Sequence, residues 1–299
     1  MLKVEHLTKS FGAIIAVNDV SFSASRGSIT IMTGADGAGK STLFKMILGL
    51  VRKDSGEIFL EGSSIDGKFS KVTQITGYMP EKFSLYSDLS VEENLDFFAD
   101  IQQVCSQRKK EMKHRLLRRT GMLPYRKRKA GALSGGMKQK LALSTILLSS
   151  PEMLILDEPT TGVDPLSRIE FFKIMEDLKK EGKTIVMATP YLDEAEKGDF
   201  VIFIKKGVKI KEGSIKEIKD TFPAQMYRVL PKGNIFEVMN QLQAKKEVKG
   251  HFYIRGRFIK CMCLERPDFL SQLKAKEVKE EEPTLEDVYI YYQRGIHRD

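Results

Sequence analysis

Apolar and polar positions alternate along the first half of this chain in a way that predicts strands interleaved with helices. The stretch at 2–6 alternates as an edge strand would, and 17–24 alternates again. Shorter runs of mostly apolar residues are typical of buried strands, and apolar residues at helical spacing follow the first of them. These runs lie at 28–33, 153–156 and 184–188, and the helix is expected over 41–50. The pattern therefore favours an α/β fold with a mainly parallel sheet.

Two later regions differ from this pattern. Residues 90–150 carry helical periodicity only, so we expect a helical subdomain over about 82–150 within a first domain of 1–215. After a change of character at Gly213–Pro223, short strand-like and helical runs alternate, which predicts a small α+β accessory domain over 216–299. Its expected strands are 226–230, 251–254 and 258–264, and its expected helices are 234–244 and 284–293.

Composition excludes several classes of protein. The 299 residues are 41% hydrophobic and 30% charged, which is typical of a globular chain with a sizeable core. No apolar run approaches the roughly 18 residues that cross a bilayer, and the N-terminus does not resemble a secretory signal. The three cysteines are too few for a disulfide framework, so we expect Cys261 and Cys263 to be reduced on a strand. These observations predict a cytoplasmic protein.

Positive charge is concentrated in one segment. Between Cys105 and Ala130 there are eleven Lys or Arg residues and one acid, Glu111, so this segment carries +10 while the whole chain carries +9. Three interpretations remain open: a surface for nucleic acid, a solvated helix face, or a surface that contacts an anionic membrane.

A glycine-rich loop between a predicted strand and a predicted helix matches the phosphate-binding pattern G-x-x-x-x-G-K-[ST]. Its backbone N–H groups and the helix N-terminus would bind phosphate oxygens. Lys40 would reach the β- and γ-phosphates of ATP, and Ser41 would ligate Mg²⁺. The candidate nucleotide-binding residues here are Gly34, Ala35, Asp36, Gly37, Ala38, Gly39, Lys40, Ser41 and Thr42.

Two carboxylates follow the apolar strand predicted at 153–156. Asp157 would complete the Mg²⁺ shell and Glu158 would polarise the attacking water, so Lys40 and Glu158 are the candidate catalytic residues. Either motif alone could be a surface turn. Their occurrence together predicts a site for nucleotide hydrolysis.

A third motif makes the resemblance specific. Residues 133–139, LSGGMKQ, resemble the signature of ATP-binding cassette (ABC) ATPases, and TGVDP at 161–165 looks like their D-loop. The resemblance implies an ABC ATPase fold in which two cassettes stack head to tail around two nucleotides. Ser134, Gly135, Gly136 and Gln139 would then contact a nucleotide held by a partner chain. Phe11 lies where the family places an aromatic residue that stacks on adenine.

The resemblance extends beyond the cassette itself. The segments YLDEAE at 191–196 and EPTLEDVY at 282–289 are similar to those of bacterial cassettes that power drug, antibiotic and polysaccharide exporters with a separate membrane subunit. This implies a membrane-embedded permease and a second ATPase subunit as partners, and a peripheral location on the cytoplasmic face of the membrane. No nucleic-acid partner is expected.

Three positions depart from the family pattern, two of them at residues with an expected function and a milder one at Asp36. Glu81 stands where the family has a glutamine that contacts the metal, and it remains a candidate nucleotide and metal contact. Pro190 stands where the family has a histidine that donates to the γ-phosphate, and proline has neither a side-chain donor nor an N–H. Asp36 replaces the usual asparagine. The chain's own site is thus partly altered while its signature is intact, which favours a heterodimer with one weak site over a homodimer.

Other functions compete with an exporter ATPase. One is a nucleotide-binding regulatory subunit with little hydrolysis. Another is a soluble cassette that acts on ribosomes or DNA, which the basic segment could suit. Soluble translation cassettes usually carry two phosphate loops, whereas this chain has one. DNA-repair cassettes separate the phosphate loop from the carboxylate motif by a long coiled coil, and the 117 residues between them here show no sustained heptads.

Overall fold

A computed structural model describes residues 1–66, 69–244, 250–264 and 275–294. The chain separates into two compact units, Met1–Glu212 and Gly213–Asp299. None of the helices in the described ranges is both long enough and apolar enough to cross a membrane. The predicted division into a first domain of 1–215 and an accessory domain of 216–299 remains a prediction.

The first unit contains one sheet that is antiparallel throughout. Its strands are β1 (Leu2–Phe11), β2 (Ile14–Ala24), β4 (Ser55–Leu60) and β5 (Ser63–Ser64), in the spatial order β2-β1-β4-β5. The sequence pattern predicts an edge strand at 2–6, and that prediction is wrong. β1 pairs with β2 on one side and with β4 on the other, because its buried residues Leu2, Val4 and Leu7 face the core while both of its edges bond to neighbours.

The second sheet of this unit is largely parallel and carries the site. It is built from β3 (Ile29–Thr33), β6 (Thr76–Met79), β7 (Met153–Asp157), β8 (Thr184–Thr189), β9 (Phe200–Lys205) and β10 (Val208–Gly213), in the order β10-β9-β3-β8-β7-β6. The five strands from β9 to β6 run parallel. Every residue of β3, β7 and β8 is buried, as expected for strands covered on both faces. The predicted α/β class with a mainly parallel sheet is confirmed.

In the described part of the first unit, seven helices lie between the strands along the chain. They are α1 (Lys40–Ile47), α2 (Phe69–Ile75), α3 (Val91–Ile101), α4 (Ser106–Arg119), α5 (Gly135–Ile146), α6 (Pro165–Lys180) and α7 (Leu192–Ala195). The described structure has no strand between 90 and 150, as the periodicity predicts. Polar caps fix the helix starts: Ser90 and Glu93 form a reciprocal capping box on α3, and the Asp164 side chain accepts from Ser167 N on α6.

The second unit is a four-stranded antiparallel sheet with helices on both faces. Its elements are α8 (Ile215–Asp220), β11 (Gln225–Pro231), α9 (Ile235–Ala244), β12 (Gly250–Arg255), β13 (Phe258–Cys263), β14 (Ala275–Glu281) and α10 (Leu285–Arg294), and the strand order is β12-β13-β11-β14. One face buries α9 residues such as Val238 and Leu242, and the other packs against Tyr291 of α10. Cys261 and Cys263 are free and buried on β13, as predicted.

One strand of this second unit has no counterpart in the sequence prediction. The charged run at 276–282 forms most of β14, which pairs along β11 with mostly exposed side chains. Its hydrogen bonds come from the backbone of a neighbouring strand, so the local composition gives no signal for it.

Asn94 fixes the loop that leads into α3. The side chain is completely buried, and its amide nitrogen donates to the carbonyls of Tyr86, Leu89 and Ser90, while its oxygen accepts from Tyr86 N. The three carbonyls also accept backbone N–H bonds from Leu89, Ala130 and Asn94, whereas Tyr86 N bonds to the Asn94 side chain.

We predict that Asn94→Ala lowers the free energy of unfolding by about 1–3 kcal/mol, because it removes the hydrogen bonds of a fully buried amide and leaves Tyr86 N without its side-chain acceptor. Urea denaturation of the full chain measures the change. Asn18→Ala, at an exposed position, serves as the control and is expected to have little effect. Equal stabilities for the two variants would contradict this role of Asn94.

Candidate functional site

The parallel strands end at one edge of the sheet and bring the two predicted motifs together. β8 lies between β3 and β7, with Thr33 opposite Thr189 and Asp157 opposite Ala188. The loop that follows Thr33 therefore comes to lie next to the carboxylates that follow β7. This is the position where ligands bind in open α/β sheets.

The loop at 34–41 wraps tightly around the start of α1. Gly39 adopts a φ of +103°, and a Cβ there would lie 2.3 Å from the carbonyl oxygen of Ala16. Only glycine suits this combination of backbone conformation and close approach. The turn between β9 and β10 supports the loop as well, since Gly207 N donates to Ala38 O at 2.9 Å.

Lys40 is buried inside this loop, with 3% of its surface exposed. Its ammonium group donates to Gly34 O at 2.8 Å and to Ala35 O at 3.2 Å, and lies 3.3 Å from a carboxylate oxygen of Glu158. The predicted catalytic lysine and glutamate are therefore ion-paired across the cleft. The arrangement places a fixed cation where a phosphate chain would enter.

Ser41 and Asp157 form the second connection across the cleft. The Ser41 hydroxyl donates to a carboxylate oxygen of Asp157 at 3.0 Å. Burial raises the pKa of Asp157 above its ordinary value, and the nearby carboxylates of Glu158 and Glu81 add to this, while the bond from Ser41 opposes it. A buried carboxylate with this environment favours a neighbouring cation.

These groups fit the predicted Mg²⁺ ion. Magnesium prefers oxygen ligands and takes few of them from the protein, keeping waters and phosphate oxygens for the rest. In the described ranges no three His, Cys, Asp or Glu side chains converge as a self-contained metal cluster. Ser41 and Asp157 would therefore hold the ion together with the nucleotide, and Glu81 is available at the mouth of the cleft.

The cleft has a volume of about 610 Å³ and opens to solvent. Its lining includes most of the predicted loop, namely Asp36, Gly37, Ala38, Gly39, Lys40, Ser41 and Thr42, together with Glu81 and Glu158. It also includes Thr161 of the predicted D-loop, and Ile14, Ile15, Ala16 and Lys206, which the sequence analysis does not single out. These four are distant in sequence from the loop or outside its motif, so only the fold brings them in.

Phe11 does not line this cleft. It ends β1 opposite Ile14 and is half exposed, with Lys9 Nζ 5.3 Å from its ring centre. The apolar side chains that reach the cleft come from the start of β2, at Ile14 and Ile15. Stacking of Phe11 on adenine remains a prediction.

The signature motif forms the start of α5. Ser134 caps the helix by accepting from Met137 N, and Ser134 and Gly135 are exposed. Gly135 and Gln139 line a separate cavity of about 350 Å³ that also includes Phe83 and Ser87. The signature residues therefore do not reach the cleft around Lys40 in this chain.

Gly136 packs directly against the neighbouring helix. A Cβ at this position would lie 2.3 Å from the hydroxyl oxygen of Ser167 on α6, so no larger residue fits without displacing one of the two helices. This contact joins the signature to the helix that follows the predicted D-loop.

The basic segment forms α4 and the loop after it. Three of its cations are paired: Lys109 with Asp100, Lys113 with Asp96, and Arg119 with Glu181. The remaining eight are exposed, namely Arg108, Lys110, Arg115, Arg118, Arg126, Lys127, Arg128 and Lys129. The surface is therefore strongly basic, and its contact with a membrane remains a prediction.

Comparison with known proteins identifies the family. A family profile described as ABC transporter matches residues 17–161. Nod factor export ATP-binding protein I of Rhizobium sp. (strain N33) is 30% identical over 287 residues, which cover 94% of this chain and 93% of that protein. The chain belongs to the ABC transporter family of ATP-binding proteins.

Other relatives agree with this placement. The probable multidrug ABC transporter ATP-binding protein YbhF of Escherichia coli (strain K12) is 35% identical over 271 residues, 88% of this ABC chain. The match covers 46% of YbhF, so the chain spans about half the length of that relative. Among solved structures, cbiO1 from Clostridium perfringens, part of the ABC transporter complex cbiONQ, has a TM-score of 0.68 and 28% identity over 82% of this chain and 95% of that one. The predicted ABC ATPase fold is confirmed.

We predict that Asp157→Asn increases the stability of the metal-free ABC chain at neutral pH. The fold raises the pKa of Asp157 above its ordinary value of 3.8, so the folded state holds this proton more tightly than the unfolded state. Stability is therefore lost as pH rises from 3.8 through the folded pKa, and it stays lost above that range. Asparagine removes this penalty.

Thermal unfolding in EDTA between pH 4 and pH 8 measures the effect. The advantage of Asp157→Asn is expected at pH 8 and should shrink toward pH 4. Asp88→Asn, at an exposed site, is the control. A stability difference that does not change with pH would contradict the assigned cause.

Proposed function

We propose that this chain binds ATP with Mg²⁺ and hydrolyses it to drive a membrane exporter. The observation that carries the proposal is the pairing of Lys40 and Ser41 with Glu158 and Asp157 across one cleft. One side of this pairing is a phosphate-binding loop, and the other is a pair of carboxylates. Phosphoryl transfer from a nucleoside triphosphate requires this combination.

Each group has a distinct task in this proposal. Lys40 and the N–H groups of the loop hold the β- and γ-phosphates, which keeps the reacting phosphorus fixed. Glu158 accepts a hydrogen bond from the attacking water and orients it. A bound Mg²⁺ would neutralise phosphate charge, with Ser41, Asp157 and Glu81 as its protein contacts.

The names of the relatives support export. YbhF is named for multidrug transport and the Rhizobium protein for Nod factor export. We therefore propose a membrane-embedded permease as partner, a second cassette that completes the nucleotide sites, and a position on the cytoplasmic face of the membrane. Because the relatives carry different cargoes on a similar cassette, we assign the choice of cargo to the membrane subunit.

In this proposal the chain's own nucleotide site is weaker than the signature that it contributes to the site of a partner. Pro190 follows Thr189 at the end of β8 and offers no donor to the developing charge, and Glu81 adds negative charge beside the phosphates. Ser134 and Gly135 of the signature, in contrast, are exposed, and we propose that they meet a partner. We therefore propose a heterodimer with one slow and one competent site, with a homodimer as the alternative.

We predict that Lys40→Ala lowers ATP affinity by about 10- to 100-fold, because it removes the one side-chain cation of the loop and its charge-assisted contacts to phosphate. Isothermal calorimetry of the full chain measures the affinity. Lys173→Ala removes an exposed lysine from α6 and should change nothing. Unchanged affinity in Lys40→Ala would mean that the loop does not hold phosphate.

We predict that Pro190→His raises turnover at this chain's own site, since it adds the missing donor; one such donor is worth about 10²–10³ in rate. If Glu81 slows the site equally, Glu81→Gln must be added. Steady-state ATPase of the chain with its partner subunits measures this.

The same assay separates heterodimer from homodimer. With one competent site, Ser134→Ala should remove most activity of the complex, whereas Glu158→Gln should remove less. The reverse result, in which Glu158→Gln abolishes turnover and Ser134→Ala does not, would exclude the unequal-site arrangement.

A further inference from the structure

A buried carboxylate lies behind the proposed catalytic residues and touches none of the cleft. Glu194, on α7, has no exposed surface. One of its oxygens accepts from the Thr160 hydroxyl at 2.7 Å, and the other accepts from the Thr189 hydroxyl at 2.5 Å. Glu194 therefore connects the loop after β7 to the end of β8.

Among the residues that the structure describes, Arg168 is the cation that pairs with this carboxylate. Arg168 Nε lies 3.8 Å from one Glu194 oxygen and donates to Val163 O at 3.2 Å. The guanidinium group also stacks on the Tyr191 ring at 4.0 Å, and Tyr191 N donates to Thr189. The network thus contacts both sides of the predicted D-loop.

Burying such a group is costly for the fold. A buried, ion-paired carboxylate contributes little net stability compared with an apolar side chain of similar size. What it does supply is geometry, because its two oxygens fix two hydroxyls at set positions.

The geometry it fixes is that of Glu158. This residue has a φ of +50°, in the left-handed region that non-glycine residues rarely adopt. Its N–H donates to Ala188 O at 3.0 Å, immediately before Thr189, and Thr160 follows two residues after it. The strained backbone at Glu158 is therefore fixed to β8 on one side by its bond to Ala188. On the other side it is fixed by Glu194, which joins Thr160 to Thr189.

We infer that Glu194 is a positioning residue for hydrolysis: through Thr160 and Thr189 it fixes Glu158 in the orientation that faces Lys40. The inference rests on the proposed function, in which Glu158 orients the attacking water. Besides the backbone bond from Glu158 to Ala188, the side-chain connection from β8 to the loop after Glu158 runs through Thr189, Glu194 and Thr160.

Substitutions in the full chain test this through kcat, KM for ATP and the unfolding temperature. Glu194→Gln and Thr160→Val should each lower kcat by about 10- to 100-fold, since small misplacements of a catalytic group cost this much, while KM changes less than about twofold. Thr160→Ser keeps the hydroxyl and should restore turnover. Thr145→Val removes a buried hydroxyl that bonds to Ala142 O within α5, and it is the matched control with unchanged kcat.

A double-variant comparison tests whether Glu194 acts through Glu158. In a Glu158→Gln background, followed by single-turnover hydrolysis, Glu194→Gln should cause no further loss of rate. A loss as large as in the parent chain would overturn the inference, as would Thr160→Ser failing to recover turnover while unfolding at the parent temperature.

Different results would contradict the proposed ATPase function and the positioning role of Glu194. If the parent chain neither binds nor hydrolyses ATP, the proposed function is wrong. If the parent hydrolyses ATP and Glu158→Gln slows it, but Glu194→Gln and Thr160→Val keep the parent kcat, only the role of Glu194 is wrong.

Discussion

The parallel alignment of β3, β8 and β7 is the constraint on which the site depends. Three chain segments, of which β3 lies more than 100 residues before the other two, end at one sheet edge because their strands share one direction and register. The backbone ladders of this buried sheet therefore set where Lys40 and Asp157 lie, and the side chains only complete the contact. A change of register in any of the three strands would separate the motifs.

Electrostatics then determines how the edge is used. Lys40 lies among carbonyl oxygens and beside Glu158, while the buried Asp157 has the Ser41 hydroxyl, the carboxylates of Glu158 and Glu81, and Lys45 nearby. Positive charge is thus fixed on the loop side and excess negative charge on the strand side. A magnesium nucleotide carries both signs, and it complements this separation better than a bare phosphate or a bare cation would.

The sequence predicts the parts of this site that are local and misses those that arise from tertiary contact. The loop at 34–41, the carboxylates at 157 and 158 and the buried strands around them each have a signal within about ten residues. Ile14, Ile15 and Lys206 reach the cleft only because β2 and the β9–β10 turn pack against the loop. In the same way, β1 pairs on both edges although its alternation suits an edge strand, and β14 forms from a charged run that has no strand propensity of its own.

The packing of Gly136 against Ser167 has a mechanical consequence. Because the Ser167 side chain packs directly on Gly136, the first turn of α5 and the first turn of α6 have little room to slide past each other. This contact couples the signature, which would meet a partner cassette, to the helix that follows the Glu158 loop. A displacement of the first turn of α5 therefore moves α6 and its Arg168 as well. Contact made at the signature would in this way reach the buried network around Glu194.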